Sequence, residues 1–247
     1  MMRPILQLLA TMLLLLGVGC AAVQRKLLYH PTHDSTLPER LDEWSLNGRR
    51  IGFSRTVASP HNVWLLLHGN GGQAADRNYA LPCFSPDDSV YILEYPGYGQ
   101  RAGTPSLPGI NAAAREAYDL LRAQFSDKPV CVVGESIGTG PACTLTMHPR
   151  PPDKLVLIVP FAVLKEVADD HFPLLPTSLM LRDNWNNIEA LKNYAGPLEI
   201  FAAKGDTTIP IRHAQALAAA KSQTVFHTFE GNHNDWSHDG RVRIRHP

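Results

Sequence analysis

Gly134-Glu135-Ser136-Ile137-Gly138 is the stretch on which the reading of this chain turns. The apolar, largely β-branched run Val130-Cys131-Val132-Val133 leads into it, and a helical pattern from Ile137 to about His148 leaves it. A serine between two glycines at a strand-to-helix turn occupies a tight, strained bend whose flanking positions need small residues. The bend lifts the serine oxygen above the sheet edge, in front of a helix N-terminus. Alone the pattern is weak, because it also describes a Gly/Ser loop that closes a βα unit. It is not a dinucleotide fingerprint. Gly134, Gly138 and Gly140 do not have the Gly-x-Gly-x-x-Gly spacing, and no such motif follows the first strong strand.

Working outward, short apolar runs recur on both sides of the pentapeptide. Val63-Trp64-Leu65-Leu66-Leu67, Val90-Tyr91-Ile92-Leu93, Leu155 to Val159, Leu198 to Ala202 and Val225 to Phe229 all read as strands. Helical spacing falls between them, over Ile110–Gln124 and the Ala-rich Ile211–Lys221. Strand–helix alternation predicts a mostly parallel central sheet flanked by helices on both faces. Ser45-Leu46, the turn Asn47-Gly48 and the alternating Arg50 to Ser54 predict an antiparallel hairpin at its start. Residues 160–197 exceed what a strand-to-helix connection needs. They form either a small cap over the sheet end or an ordinary helix pair packed on the sheet.

The chain has 247 residues, 44% of them apolar, which suits one large α/β domain with a real core. Its formal net charge is zero, so neither a nucleic-acid partner nor electrostatic steering is indicated. The N-terminus differs from the rest. Arg3 precedes an apolar stretch from Ile5 to Leu16, too short for a comfortable membrane span and suited to a signal peptide over residues 1–19. Leu16-Gly17-Val18-Gly19-Cys20-Ala21 resembles a bacterial lipobox, with Cys20 as the lipidated mature N-terminus. Gly17 stands where such a motif usually carries leucine. Residues 20–43 then read as a tether and lead-in segment, and residues 44–247 as the folded domain. Ala21 after Cys20 points, by the same resemblance, to the outer membrane, with the protein in the bacterial cell envelope facing the periplasm. Of the four cysteines, Cys131 and Cys143 read as core thiols. No Cys-x-x-Cys or His/Cys ligand spacing occurs, so no metal, disulfide framework or cofactor is expected.

A nucleophilic serine needs a base, an acid that orients the base, and donors for an oxyanion. In this architecture the partners follow in the order Ser, Asp, His. Asp206 lies just past the Leu198–Ala202 strand, within Gly205-Asp206-Thr207-Thr208-Ile209-Pro210. His233 lies just past the last strand, within Gly231-Asn232-His233-Asn234. Each alone reads equally well as a turn residue or a chance histidine. All three behind strands in the required order point to a triad of Ser136, Asp206 and His233. Leu67-His68-Gly69-Asn70-Gly71-Gly72, directly after a strand, suits an oxyanion loop whose donors are the backbone N–H groups of Asn70 and Ile137. The His68 side chain reads as structural.

Together these segments resemble the α/β-hydrolase fold serine hydrolases. With Glu94-Tyr95-Pro96-Gly97-Tyr98-Gly99 and the Asp-x-x-Ile-Pro segment, they resemble in particular the branch of the ABHD12, ABHD13 and ABHD17 type hydrolases and their bacterial relatives. The likeness runs from about Trp44 to Asp239. It implies nucleophile Ser136, acid Asp206, base His233 and an acyl-enzyme path. It does not name a substrate, because the branch holds lipases, thioesterases and peptidase-like members. The expectation is hydrolysis of a carboxylic ester or thioester of a small-molecule or lipid acyl substrate. The alternatives are a peptidase or amidase on the same triad, and a non-catalytic binding lipoprotein.

Overall fold

A computed structural model describes residues 24–35, 37–174, 177 and 181–246. The leader expected over residues 1–19 and the lipidation site Cys20 lie outside the described residues.

The chain builds an eight-stranded sheet from β1 (Asp42–Leu46), β2 (Arg49–Arg55), β3 (Val63–Leu67), β4 (Ser89–Leu93), β5 (Val130–Glu135), β6 (Leu155–Ile158), β7 (Leu198–Ala203) and β8 (Val225–Phe229). Their spatial order is β1-β2-β4-β3-β5-β6-β7-β8. β1 pairs antiparallel with β2, and β2 with β4, while every other pairing is parallel. The expected hairpin therefore opens the sheet. Asn47 and Gly48 carry φ of 51° and 72° at its turn, the positive pair that lets a two-residue loop match strand twist.

Central strands are apolar throughout because both faces are covered; all five residues of β3 have zero exposure. Side chains alternate between two cores. Val63, Leu65 and Leu67 join Val130, Val132, Leu155 and Leu157 on one face. Trp64 and Leu66 join Cys131, Val133, Val156 and Ile158 on the other.

The first face is packed by α1 (Leu107–Gln124), α2 (Thr139–Thr144), α3 (Leu164–His171), α4 (Asn187–Leu191) and α5 (Arg212–Ala220). α1 begins earlier than its apolar spacing predicts. Ser106 accepts from the Gly109 N–H at 3.3 Å as its cap, and Pro108 falls in the first turn, where a missing N–H costs nothing. The second face is covered by a 3₁₀ run, Ala74–Cys83, and by the C-terminal stretch with Trp236, Val242 and Ile244. The helix expected from Ile137 to His148 divides into a 3₁₀ turn (Ser136–Gly138), α2, and a second 3₁₀ turn (Leu145–Met147).

From Gln24 onward, the stretch expected as a tether lies against the domain. His30–Pro31 pairs parallel with Gly71–Gly72. The Thr32 N–H donates to Gly72 O at 3.1 Å, and the Gly99 N–H donates to Thr32 O at 2.9 Å. The Tyr29 hydroxyl donates to Asp183 Oδ2 at 2.7 Å, and Gln24 Oε1 accepts from the backbone N–H groups of Arg182 and Asp183. Within residues 160–197, the residues just before α3 and α4 are joined by an antiparallel bridge, Val163 to Asn186, and the Lys165 N–H donates to Asn184 Oδ1 at 2.8 Å.

Candidate active site

A parallel sheet collects its loops at the carboxyl ends of its strands, and that edge assembles this site. At the end of β5 the chain turns so sharply that Ser136 takes a φ of 53°. For a serine this left-handed conformation costs on the order of 1–3 kcal/mol, which the surrounding packing must hold. Both flanking glycines are required by contact. A Cβ on Gly138 would stand 2.1 Å from Leu67 O, and one on Gly134 would stand 2.7 Å from Gly138 O. The turn presses against the end of β3, so the serine loop and the Gly69–Gly72 loop are neighbours by construction.

Beyond β7 and β8 the sheet hydrogen bonding continues into the loops. The Lys204 N–H donates to Phe229 O at 3.0 Å, and the Gly205 N–H donates to Gly231 O at 2.9 Å. This brings Asp206 beside His233. His233 Nδ1 lies 2.7 Å from Asp206 Oδ2, and His233 Nε2 lies 2.8 Å from Ser136 Oγ. The second carboxylate oxygen, Asp206 Oδ1, accepts from the backbone N–H groups of Thr208 (2.9 Å) and Ile209 (2.8 Å). The carboxylate is thus fixed in plane and orientation. The three residues that the sequence singles out separately form one continuous hydrogen-bonded chain, the arrangement in which a histidine can take a proton from a serine hydroxyl.

Asn70 and Ile137 both border the same cavity as Ser136 and His233. Asn70 Oδ1 accepts from the Tyr98 hydroxyl at 3.0 Å and from the His30 N–H at 3.3 Å, so its side chain is turned to structural duty. His68 is fully buried and stacked on Tyr95, with ring centroids 4.2 Å apart. Its Nδ1 donates to Gly69 O at 2.7 Å, a packed and bonded role.

Sequence reasoning missed the group that braces the Gly69–Gly72 loop. Glu135, the variable position of the pentapeptide, is buried and accepts the Gly69 N–H at 3.0 Å, the Tyr79 hydroxyl at 3.2 Å and the Trp236 indole N–H at 3.2 Å. Arg77 stands with its Nε 3.8 Å from Glu135 Oε2 and donates to Gly69 O (3.4 Å) and Gly71 O. Burial pushes the Glu135 carboxyl up. The Arg77 guanidinium and the N–H groups of Gly69 and Trp236 outweigh this and hold it below the usual carboxylate range. With loop carbonyls bound by Arg77 and the Gly69 N–H bound by Glu135, the loop is held from both sides. The one available signal was a carboxylate in the middle of an otherwise apolar strand-to-turn run.

The cavity above Ser136 measures about 900 Å³ and is open to solvent. Leu28, Phe161, Leu164, Val167 and Leu181 contribute apolar lining, and Arg77, Tyr79 and Asn234 polar lining. Such a chamber suits a substrate with a long apolar portion and a polar end. Among the described residues no cluster of three or more metal-ligating side chains occurs, and no helix is long and apolar enough to cross a membrane.

No family model matches the chain. An uncharacterised protein of Mycobacterium tuberculosis is 32% identical over 238 residues, which cover 90% of this chain and 84% of that protein. The lysophosphatidylserine lipase ABHD12 of Macaca fascicularis is 31% identical over 192 residues, or 68% of this chain; the matched region spans only 47% of ABHD12. Among solved structures, an α/β hydrolase of Vibrio vulnificus superposes with a TM-score of 0.63 at 18% identity, covering 79% of this chain and 75% of that one. The strand order, the turn at Ser136 and these likenesses agree: the chain has the α/β-hydrolase fold and belongs to one family with the mycobacterial protein.

Proposed function

We propose that this protein is a serine esterase or thioesterase that cleaves a carboxylic acyl bond through an acyl-enzyme on Ser136. The observation that carries this reading is the 2.8 Å and 2.7 Å chain from Ser136 through His233 to Asp206, set at the floor of an open, largely apolar cavity. In the proposed mechanism His233 Nε2 takes the hydroxyl proton as Ser136 Oγ attacks the acyl carbonyl. Asp206 holds the imidazole in the tautomer that leaves Nε2 free to accept, and stabilises the imidazolium. The backbone N–H groups of Asn70 and Ile137 bind the tetrahedral oxyanion. His233 then returns the proton to the leaving alcohol or thiol. A water deprotonated by the same nitrogen releases the acid.

The likeness to ABHD12, a lysophosphatidylserine lipase, supports an acyl lipid as substrate class. The lipobox-like start supports anchoring through Cys20 in the bacterial cell envelope, at the outer membrane on its periplasmic side. A peptidase or amidase on the same triad is the second reading. It ranks lower because the cavity lining favours an acyl chain over a peptide backbone, which needs rows of polar partners.

The test is labelling of the native protein by a fluorophosphonate, followed by turnover of acyl esters of graded chain length with Ser136→Ala as the blank. Labelling that Ser136→Ala abolishes, with turnover that rises with chain length, is the expected result. Wild-type turnover by Ser136→Ala would falsify the assignment, and faster cleavage of peptide amides than of esters would move the reading to the peptidase. Palmitate incorporation compared between wild type and Cys20→Ser tests the anchor.

A further inference from the structure

Among the described residues, four of the seven exposed large apolar side chains (Leu27, Tyr79, Phe172 and Leu174) border the cavity over Ser136 or stand within two residues of its lining. Leu27 is 63% exposed and Phe172 50% exposed, and both border the cavity over Ser136; Leu174, two residues beyond Phe172, is 96% exposed. Scattered apolar side chains on a surface need no explanation, but several around a cavity mouth are a contact surface. The short helical turn that carries Leu27 reads Gln24-Arg25-Lys26-Leu27-Leu28, with Arg25 and Lys26 both exposed. On the helix that precedes Phe172, Asp169 is paired with Lys165, Asp170 is paired with Arg212 and His213, and Glu166 lies 3.9 Å from His213. The rim combines apolar side chains with a positive edge at Arg25 and Lys26, the composition that settles at the headgroup level of an anionic bilayer.

Chain continuity says which occupant reaches this rim. Gln24 is the first described residue and already borders the cavity. Cys20 lies four residues before it, at most about 14 Å of extended chain. The apolar stretch Ile5–Leu16 ends only a few residues earlier. A lipid anchor at Cys20 therefore keeps Gln24, at the border of the cavity, within about 14 Å of the bilayer surface.

We propose that the rim formed by Arg25, Lys26, Leu27, Phe172 and Leu174 docks on an anionic phospholipid bilayer, so that the cavity over Ser136 opens into the lipid. This rests on the membrane-anchoring reading above and adds an orientation to it. A single-chain or double-chain lipid then slides from the leaflet into the largely apolar cavity without crossing water. The opposite sheet edge, where Val225 begins β8, faces away.

The four native tryptophans are all buried, at 6% exposure or less, so an introduced surface indole reports on its own surroundings. The full chain is reconstituted in vesicles of phosphatidylcholine and phosphatidylglycerol whose acyl chains carry bromine, a contact quencher. Leu174→Trp, Phe172→Trp and Val225→Trp are compared after flotation. The expected result is that the added emission is quenched at 174 and 172 and unquenched at 225. Replacing Arg25 and Lys26 by glutamine is expected to lower the docked-to-undocked ratio about thirtyfold, as two surface cations of about 1 kcal/mol each imply. Flotation with equal quenching at 225 and 174, or with none at either, overturns the docking and leaves the anchor standing. Failure to float overturns both. The readout needs no turnover, so it is independent of whether Ser136 is the nucleophile.

Discussion

Replacing Asp206 by asparagine tests the proposed chemistry at the point where the structure constrains it most. Asp206 Oδ1 receives two backbone N–H groups, from Thr208 at 2.9 Å and Ile209 at 2.8 Å. An amide at this position keeps its oxygen toward those donors, because turning its –NH₂ there would set donor against donors in a buried site. The –NH₂ then faces His233 Nδ1, which sits 2.7 Å from Oδ2. Nδ1 must accept, the ring proton moves to Nε2, and Nε2–H points at Ser136 Oγ. The base can no longer take the serine proton although every heavy atom stays in place. The expected loss in kcat is on the order of 10⁴, or roughly 5.5 kcal/mol of barrier. KM should hardly move, since the Asp206 side chain is only 2% exposed and does not border the cavity. The assay is steady-state hydrolysis of a soluble p-nitrophenyl ester at neutral pH, with Ser136→Ala as the blank and ¹⁵N shifts of His233 reporting the tautomer. An Asp206→Asn protein within about tenfold of wild-type kcat would refute the reasoning, as would a loss confined to KM.

Gly138→Ala places a methyl 2.1 Å from Leu67 O, a backbone atom that cannot yield without moving β3. It should cost about 2 kcal/mol or more of stability, read by chemical denaturation, and wild-type stability would refute the close approach. Arg77→Met leaves the Glu135 carboxylate buried without its cation and should cost about 3–5 kcal/mol, whereas the double change to Arg77→Met with Glu135→Gln should recover part of that loss. The Glu135 carboxyl is held below its ordinary range, so the unfolded chain binds its proton more readily. Its stabilisation is complete above the unfolded value of about 4.3 and is lost as pH falls through the lower folded value. Glu135→Gln should accordingly flatten the stability-against-pH curve in that acid window and leave its slope above pH ~5 unchanged. Burial pushes the Cys83 thiol up to about 11 and raises those of Cys131 and Cys143 further. In a Cys20→Ser background these three should resist a disulfide reagent until the protein unfolds, and fast labelling of the native protein would contradict their burial.

What the sequence revealed and what it withheld follow from the range of the forces involved. Val63–Leu67 and Val130–Val133 are legible because a strand buried on both faces must be apolar at every position. The meeting of Ser136, Asp206 and His233 was legible because each follows a strand of the parallel sheet, and parallel strands bring their loops to one edge. Arg77 was not legible. Its partners Gly69, Gly71 and Glu135 are reached only after the 3₁₀ run Ala74–Cys83 folds back under the loop, and no periodicity marks that return. The break of the post-serine helix into 3₁₀ turns was equally hidden. It reflects contact with β3 and Trp185: a Cβ on Gly140 would meet Trp185 at 2.5 Å. The packing of Gln24 to Thr32 was also invisible, because a short polar stretch reads the same whether it hangs in water or is stitched to a surface by backbone bonds.

That stitching moves the edges of the smallest unit able to work. The main sheet begins at Asp42, and a chain trimmed there for convenience would keep all eight of its strands. It would nevertheless lose the Gly71–Gly72 ladder and one of the two donors that fix Asn70. At the other end, the Ile244 N–H donates to Cys83 O at 2.8 Å, closing the 3₁₀ run that carries Arg77. Both tails therefore brace the Gly69–Gly72 loop, the first directly and the second through the 3₁₀ run that carries Arg77. Grafting, circular permutation or fusion of this domain must leave residues 24–32 and 241–245 in place, and new joints belong in the turns along the amino edge of the sheet.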